Sequence, residues 1–450
     1  MFRFQILIKE YFTKSQINIS LIVTVFFLNY FALAQNPLIL DQYTADPTAR
    51  VFNGKIYVYP SHDIKCTEDK GKPGWFCMED YHVFSSENLT EWKDHGEILN
   101  QKDISWADSE AYSMWAPDCI EKDGKYYFYF PTKPEKEEGF TVGVAISNNP
   151  DGPFIPQQNP IAGVNGIDPN VFIDTDGEAY LYWSGRKIYV AKLNANMTAL
   201  ASTPQVIANL PEEGHLEGPF MFKQNGKYYL TYPHVANKTE RLEYAMGDSP
   251  EGPFTVTGVI MDESPTGCWT NHHSILKYKE QWYLFYHHND LSPEFDKNRS
   301  IRADSLAFNA DGTIKKVIPT LRGVGVNSAS DTLQIDRFSS KSSAGVLNFN
   351  NPKKTFEGWN ISLKTNDWVQ YNTVKFEKKY TRIRLKFTSE EGAFLEVKTT
   401  SGKLITVMEI PKKKEWSVKD FDIDFKENGT YNIKLIVRSG KLTVDWLQFK

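Results

Sequence analysis

The sequence predicts an all-β protein: a five-bladed β-propeller followed by a β-sandwich, jelly-roll-like domain. Three observations predict it. One four-strand plan recurs five times, no amphipathic helical period interrupts it, and the chain changes character past Val324.

The N-terminal segment precedes the fold. Arg3, Lys9 and Lys14 lead into an apolar run from Ile17 to Ala34 that closes on Ala32-Leu33-Ala34. Positive charge, an apolar stretch and small terminal residues make the pattern of a secretory signal peptide. Residues 1–34 are therefore assigned to it, and the mature protein is expected to be secreted or periplasmic and free of the membrane. An uncleaved anchor is the lesser alternative, because Asn18, Ser20 and Asn29 interrupt a run only just long enough to span. No Cys follows the cleavage site to take a lipid.

The repeat sets the architecture. Five segments share a turn-forming start, a short apolar strand, a tight turn and a Tyr-rich strand: "DPTARVFNGKIYVYP" from Asp46, "APDCIEKDGKYYFYF" from Ala116, "DPNVFIDTDGEAYLYW" from Asp168, "EGPFMFKQNGKYYLTY" from Glu217 and "HHSILKYKEQWYLFYH" from His272. The starts lie 70, 52, 49 and 55 residues apart. Alternation and turn chemistry make each a β-hairpin. A second shared segment follows each hairpin, as in "VGVAISNNPDGPF" from Val142 and "LEYAMGDSPEGPF" from Leu242, and adds two more strands. Four strands about every fifty residues form a propeller blade, so residues 36–325 are read as five blades. Residues 339–343, "SSKSS", look like a linker, and strands such as "WVQYNTVKF" and "TRIRLKF" then suggest an antiparallel sandwich over residues 326–450.

Composition narrows the partners. Lys and Arg total 51 against 56 Asp and Glu, for a net charge of −5, which lacks the electrostatic footprint of a nucleic-acid binder. Aromatic residues reach 14%, a level that suits stacking on sugar faces, although aromatic β-strands use them as well. Four cysteines are too few for a disulfide framework. Cys66 and Cys77 flank a turn and could pair across it, while buried free thiols are an equal alternative.

The first strand of each propeller blade lines the central channel, so the repeat starts should converge there. Asp46, Ala116 with nearby Asp118, Asp168, Glu217 and His272 would face one funnel, with no Lys or Arg at that repeat position. Crowded carboxylates raise one another's pKa values, which is what proton transfer requires. An Asp before Pro is by itself often only a turn former. Three acids at one repeat position, one of them a Glu where a turn would take Asp or Asn, favour catalysis.

With "ADP" at Asp46, "WAPD" at Trp115 to Asp118, "IDPNVFID" at Asp168, "EGPF" at Glu217 and "HHS" at His272, the chain resembles glycoside hydrolase family 43 across the whole propeller. That family holds inverting α-L-arabinofuranosidases, β-xylosidases and arabinanases. The resemblance implies Asp46 as general base, Glu217 as general acid and Asp168 as the carboxylate that tunes and orients the acid. Inversion needs one carboxylate to activate water and a second to protonate the leaving oxygen. Glu217 has the longer arm and apolar neighbours Leu216 and Phe220, so burial and Asp168 are expected to raise its pKa. The "RDP" and "EC" signatures of the retaining invertases and levansucrases are absent.

Family members hold a terminal sugar between aromatics and an Arg. Trp115 is the first stacking candidate, with a place in the core as the alternative. Trp75 and Phe76 lie in the long insertion of the first blade, and Arg299 or Arg302 is the candidate for hydrogen bonds to substrate or else a surface charge. His272 resembles an axial His that contacts a central water or a structural calcium ion. No cofactor is expected for the chemistry. The last domain resembles a family 6 carbohydrate-binding module through "NDWVQY" (Asn366 to Tyr371) and "LTVDWLQF" (Leu442 to Phe449), with Trp359 and Trp416 as candidate binding residues. The implied activity is exo-hydrolysis of terminal α-L-arabinofuranosyl or β-D-xylosyl units of plant polysaccharides or oligosaccharides, with a lean to arabinofuranoside. A β-D-galactofuranosidase of the same family and a catalytically silent carbohydrate-binding propeller are the alternatives.

Overall fold

Each repeat folds into its own antiparallel sheet in a computed structural model that describes residues 36–350 and 359–450. The signal peptide assigned to residues 1–34 lies outside the described residues. Blade one contains β1 (Tyr43–Phe52), β2 (Lys55–Asp63), β3 (Asp80–Ser86) and β4 (Lys93–Asn100). Blade two has β5 (Asp118–Lys122), β6 (Lys125–Thr132), β7 (Thr141–Ser147) and β8 (Ile155–Pro156). In blade three are β9 (Ile167–Ile173), β10 (Ala179–Gly185), β11 (Lys187–Lys192) and β12 (Gln205–Val206). Blade four holds β13 (Phe220–Gln224), β14 (Lys227–His234), β15 (Arg241–Gly247) and β16 (Phe254–Met261), and blade five β17 (His273–Tyr278), β18 (Gln281–His288) and β19 (Ser300–Leu306). The opening hairpins turn on pairs such as Asn53-Gly54, Asp123-Gly124 and Asn225-Gly226, all at positive φ. Asn, Asp and Gly tolerate that region, and the twist of such turns matches that of the strands.

The Tyr-rich strands join neighbouring blades. Tyr59, Tyr129, Tyr182 and Tyr229 are buried, and their hydroxyls donate to carbonyls of the next blade: Pro150 (2.5 Å), Met197 (2.7 Å), Pro250 (2.7 Å) and Gly312 (2.7 Å). The rings fill the apolar seam while each hydroxyl keeps a partner. Near the axis, the second residue past each repeat start bonds to an adjacent blade. Thr48 Oγ1 donates to the Pro117 carbonyl at 2.8 Å, Asp118 Oδ2 accepts from Val171 N at 2.6 Å, Asn170 Oδ1 accepts from Met221 N at 2.8 Å, and Ser274 Oγ donates to the Pro47 carbonyl at 2.6 Å. In blade four the residue two past Glu217 is Pro219, which has no N–H to give and breaks the series, and His273 Nε2 meets Thr231 Oγ1 at 2.6 Å instead.

Blade five departs from the expected four strands, because "AFNADGTI" forms only an isolated Phe308–Ile314 bridge. The start of the described chain compensates. Asn36 N donates to Leu321 O, Leu38 N to Ile301 O and Thr44 N to Arg299 O, so the segment entering blade one runs beside β19 and closes the ring.

The C-terminal region is a separate apolar core of alternating strands, including Trp368–Phe376 paired with Gly429–Phe449. The linker expected at residues 339–343 is instead part of this sheet: Ser340 and Lys341 pair with Gln370 and Val369. Buried Arg322 donates to Thr373 Oγ1 at 2.8 Å, and Arg337 donates to the Asn36 carbonyl, so the two regions are fastened together. Trp359 lies under the Arg337 guanidinium, whereas Trp416 is exposed. Among the described residues no helix is long and apolar enough to cross a membrane.

Candidate active site

The strand entries are bent so as to aim side chains into the channel. Asp46 (φ 47°) and Asp168 (φ 56°) both occupy the left-handed region, where the β1–β2 and β9–β10 pairings shift register. A bulge re-aims the residue it contains, and Asp tolerates the strained φ better than most residues. In blade four the equivalent residue before Pro is Gly218, at φ 52°. Glu217 therefore stands one residue upstream of the position held by Asp46 and Asp168, not at the same position, and its longer side chain covers the difference.

Asp46 is buried and doubly held. Its Oδ1 accepts from Arg299 Nη1 at 2.8 Å and its Oδ2 from Ser61 Oγ at 2.7 Å, while its N–H donates to His287 Nδ1 at 3.0 Å. Arg299 also clamps Asp63 with Nε (2.9 Å) and Nη2 (2.8 Å). Burial disfavours the guanidinium charge, but Asp46 and Asp63 outweigh it and raise the Arg299 pKa. Arg299 reaches the cavity, yet its donors serve the two carboxylates. Arg302 does not reach the cavity. It lies on the opposite face of the strand and pairs with Asp290 at 2.7 Å through Nε. Asp118 is likewise withdrawn, bound by Arg50 at 2.6 Å.

Asp168 Oδ2 accepts from Gly218 N at 2.9 Å. Burial first, then the charges of Glu217 and Asp46, push its pKa well above the ordinary carboxylate range. Glu217 behaves differently from the sequence expectation. Burial acts to raise its pKa, but hydrogen bonds with His215 (Nε2 to Oε2, 2.9 Å) and with Glu240 outweigh that and lower it. The raised carboxyl next to it is Glu240, where burial and the charge of Glu217 act together.

Asp46, Asp168, His215 and Glu217 line a cavity of about 470 Å³ with Trp75, Phe76, Met78, Trp115, Ile167, Trp269, His272, Lys297 and Arg299, and Glu240 stands behind Glu217 outside it. Phe76 stacks edge-on to Trp75 (5.5 Å) and Trp115 (5.9 Å), with the Arg299 guanidinium 4.9 Å above its ring. The blade-one insertion thus builds one wall. Trp269, three residues before the fifth repeat start, builds another and was missed by the sequence reading, although its place upstream of a strand entry parallels that of Trp115. Ser61, Asp63 and Glu240 were missed too. They sit at strand ends that no motif marks.

Among the described residues the His272 side chain has no hydrogen-bond partner, and burial lowers its pKa, so it presents a neutral ring to the cavity. Calcium prefers six to eight oxygen ligands, and among the described residues no His or carboxylate cluster forms around His272. The His272 ring could offer a cation one nitrogen, and the protein supplies no cage of oxygen ligands around it among the described residues.

The sequence pattern of glycosyl hydrolases family 43 matches residues 34–314. The chain is 41% identical over 329 residues to xylosidase/arabinosidase 43A of Humicola insolens, covering 62% of this chain and 98% of that protein. A crystal structure described as a β-xylosidase/α-arabinofuranosidase from a compost microbial metagenome, with xylotriose and in calcium-free form, is 39% identical, with a TM-score of 0.57 over 64% of this chain and 98% of its own. An arabinoxylan arabinofuranohydrolase structure from Bacillus subtilis, 24% identical, covers 93% of this chain and 98% of its own with a TM-score of 0.54, a likeness of fold that includes the C-terminal region.

Proposed function

Because the chain belongs to glycosyl hydrolases family 43, we propose that its cavity hydrolyses terminal β-D-xylosyl and α-L-arabinofuranosyl units with inversion, using Asp46 as base and Glu217 as acid. The observation that carries this reading is the meeting of Asp46, Asp168 and Glu217 in one aromatic-walled cavity. Asp46 is aimed by Arg299 and Ser61 and takes a proton from water as the water oxygen bonds to the anomeric carbon. The bond from that carbon to the leaving oxygen breaks, and Glu217 protonates the oxygen. Asp168 anchors the Gly218 N–H beside the acid and so fixes the Glu217 backbone.

The relative named xylosidase/arabinosidase and the xylotriose-bound structure support pentosides as substrates. Trp75, Trp115 and Trp269 would stack on the sugar, and Phe76 shapes the wall between them. His272 would be the side chain that faces a calcium ion in the channel, which would supply positive charge to screen the carboxylates. The C-terminal region serves in this reading as a carbohydrate-binding-module-like domain, and residues 1–34 direct export. A panel of 4-nitrophenyl pentosides and hexosides, with arabinoxylan, arabinan and xylo-oligosaccharides, tests the substrate. Turnover of the xyloside and arabinofuranoside far above the hexosides is expected. Preference for the galactofuranoside would overturn the substrate, and inactivity on every glycoside would overturn catalysis.

A further inference from the structure

Glu240 precedes β15 and is fully enclosed. Its Oε2 accepts from the Asn271 N–H at 2.7 Å, while Oε1 is sealed from solvent with no donor near it. A carboxylate oxygen of Glu240, one of Glu217 and a ring nitrogen of His215 all lie within 4.8 Å of one another. His215 is exposed at the cavity mouth and meets Glu217 at 2.9 Å. A buried carboxyl pair this close cannot be doubly ionised at modest cost, and a proton held between the two would give the unpartnered Glu240 Oε1 its donor.

We propose that Glu240 is the positioning residue of the acid: it shares one proton with Glu217, and His215 returns that proton from solvent after each turnover. The proposal rests on Glu217 being the general acid. When Glu217 gives its proton to the leaving oxygen, the pair is left with two charges. A proton entering through His215 restores it, matching the proton that Asp46 releases to solvent. The other titratable groups facing the pair are Asp168 from β9, which adds negative charge, and His272 and Cys268 from the segment before β17. Burial holds the Cys268 thiol neutral, pushed up to about 12. The pair thus loses its last proton late, because that loss would place two charges side by side. Sharing reconciles a Glu217 that is readily ionised with one that must act as an acid, since the pair rather than either residue holds the proton.

Glu240→Gln tests this through pH profiles of kcat/KM on xylobiose, a poor leaving group, and on an activated aryl xyloside. The Gln amide donates to Glu217 and carries no charge, so Glu217 should ionise earlier. The alkaline limb on xylobiose should move down by about one pH unit or more, while the aryl xyloside profile stays near that of the wild type. Superimposed wild-type and Glu240→Gln profiles, or an equal loss at every pH, would reduce Glu240 to a structural role. A shift of equal size on both substrates would instead overturn Glu217 as the acid. Should Glu240→Gln fail to fold, Glu217→Gln serves with infrared detection. Removing the neighbouring charge should make a buried carboxylic-acid band titrate at lower pH than in the wild type, and an unmoved band overturns the shared proton.

Discussion

Replacing Arg299 by Lys separates charge from geometry at the base. The guanidinium is almost wholly buried and gives two donors to Asp63 and one to Asp46, at 2.8–2.9 Å. A lysine ammonium keeps the charge but is a single point, and fully buried Asp63 is its nearer demand. Asp46 would then keep only its Ser61 hydrogen bond. A hydrogen bond to a charged group is worth about 1.5–3 kcal/mol, so losing it in the transition state lowers kcat about 10- to 100-fold. Asp63 would keep the backbone N–H of residue 299 and one ammonium donor in place of two guanidinium donors, and the lost charged hydrogen bond costs a further ~2 kcal/mol of stability, seen as a Tm lower by about 2–4 °C in a chain of this size. Base catalysis acts on water, not on the leaving group. The kcat loss should therefore be the same for an aryl xyloside and for xylobiose. Unchanged kcat on both, or a loss confined to xylobiose, would refute the view that Arg299 aims Asp46.

Three other outcomes follow from the geometry. Glu217→Ala should lower kcat/KM on xylobiose by about 10²–10⁴-fold, the usual worth of a general acid, and far less on an activated aryl xyloside; equal losses would contradict the assignment. Gly218→Ala places a methyl 2.9 Å from Pro233 Cδ and 3.0 Å from His272 Nδ1 at a φ of 52°, so the turn must move at a cost of about 1–3 kcal/mol. Activity should fall at least tenfold, and a fully active variant would show that the turn between acid and Asp168 tolerates displacement. Asp304 is buried, and burial pushes its carboxyl up to about 6. Its contribution is complete below its unfolded value near 3.8 and is lost as pH rises through about 6. Asp304→Asn should flatten the fall of Tm between those pH values, whereas melting curves parallel to the wild type would place the titration elsewhere.

Periodicity made the propeller legible, because each blade repeats both its turn chemistry and its Tyr-rich strand. The same periodicity brought Asp46, Asp168 and Glu217 to one axis. It misled on the register of Glu217, since "EGP" and "IDP" align on the proline and the acid lies one residue before it. Alternation along β19 decides between Arg299 and Arg302, and a single sequence without a fixed strand start does not reveal it. Glu240 and Trp269 come from segments before strands, outside the hairpin motif, that meet through Glu240 N and Trp269 O at 3.0 Å; Trp269 lines the cavity and Glu240 lies behind Glu217. Closure itself uses the Asn36–Thr44 segment beside β19, which carries no strand pattern.

Proton NMR of the first xylose released from an aryl β-D-xyloside, whose leaving group carries no anomeric centre, addresses the central claim directly, because two carboxylates acting on opposite faces of the ring leave one stereochemical signature. The account predicts that α-xylose appears first and that its β anomer grows in only by mutarotation. Initial release of β-xylose would mean retention, and would contradict Asp46 as a base acting on water.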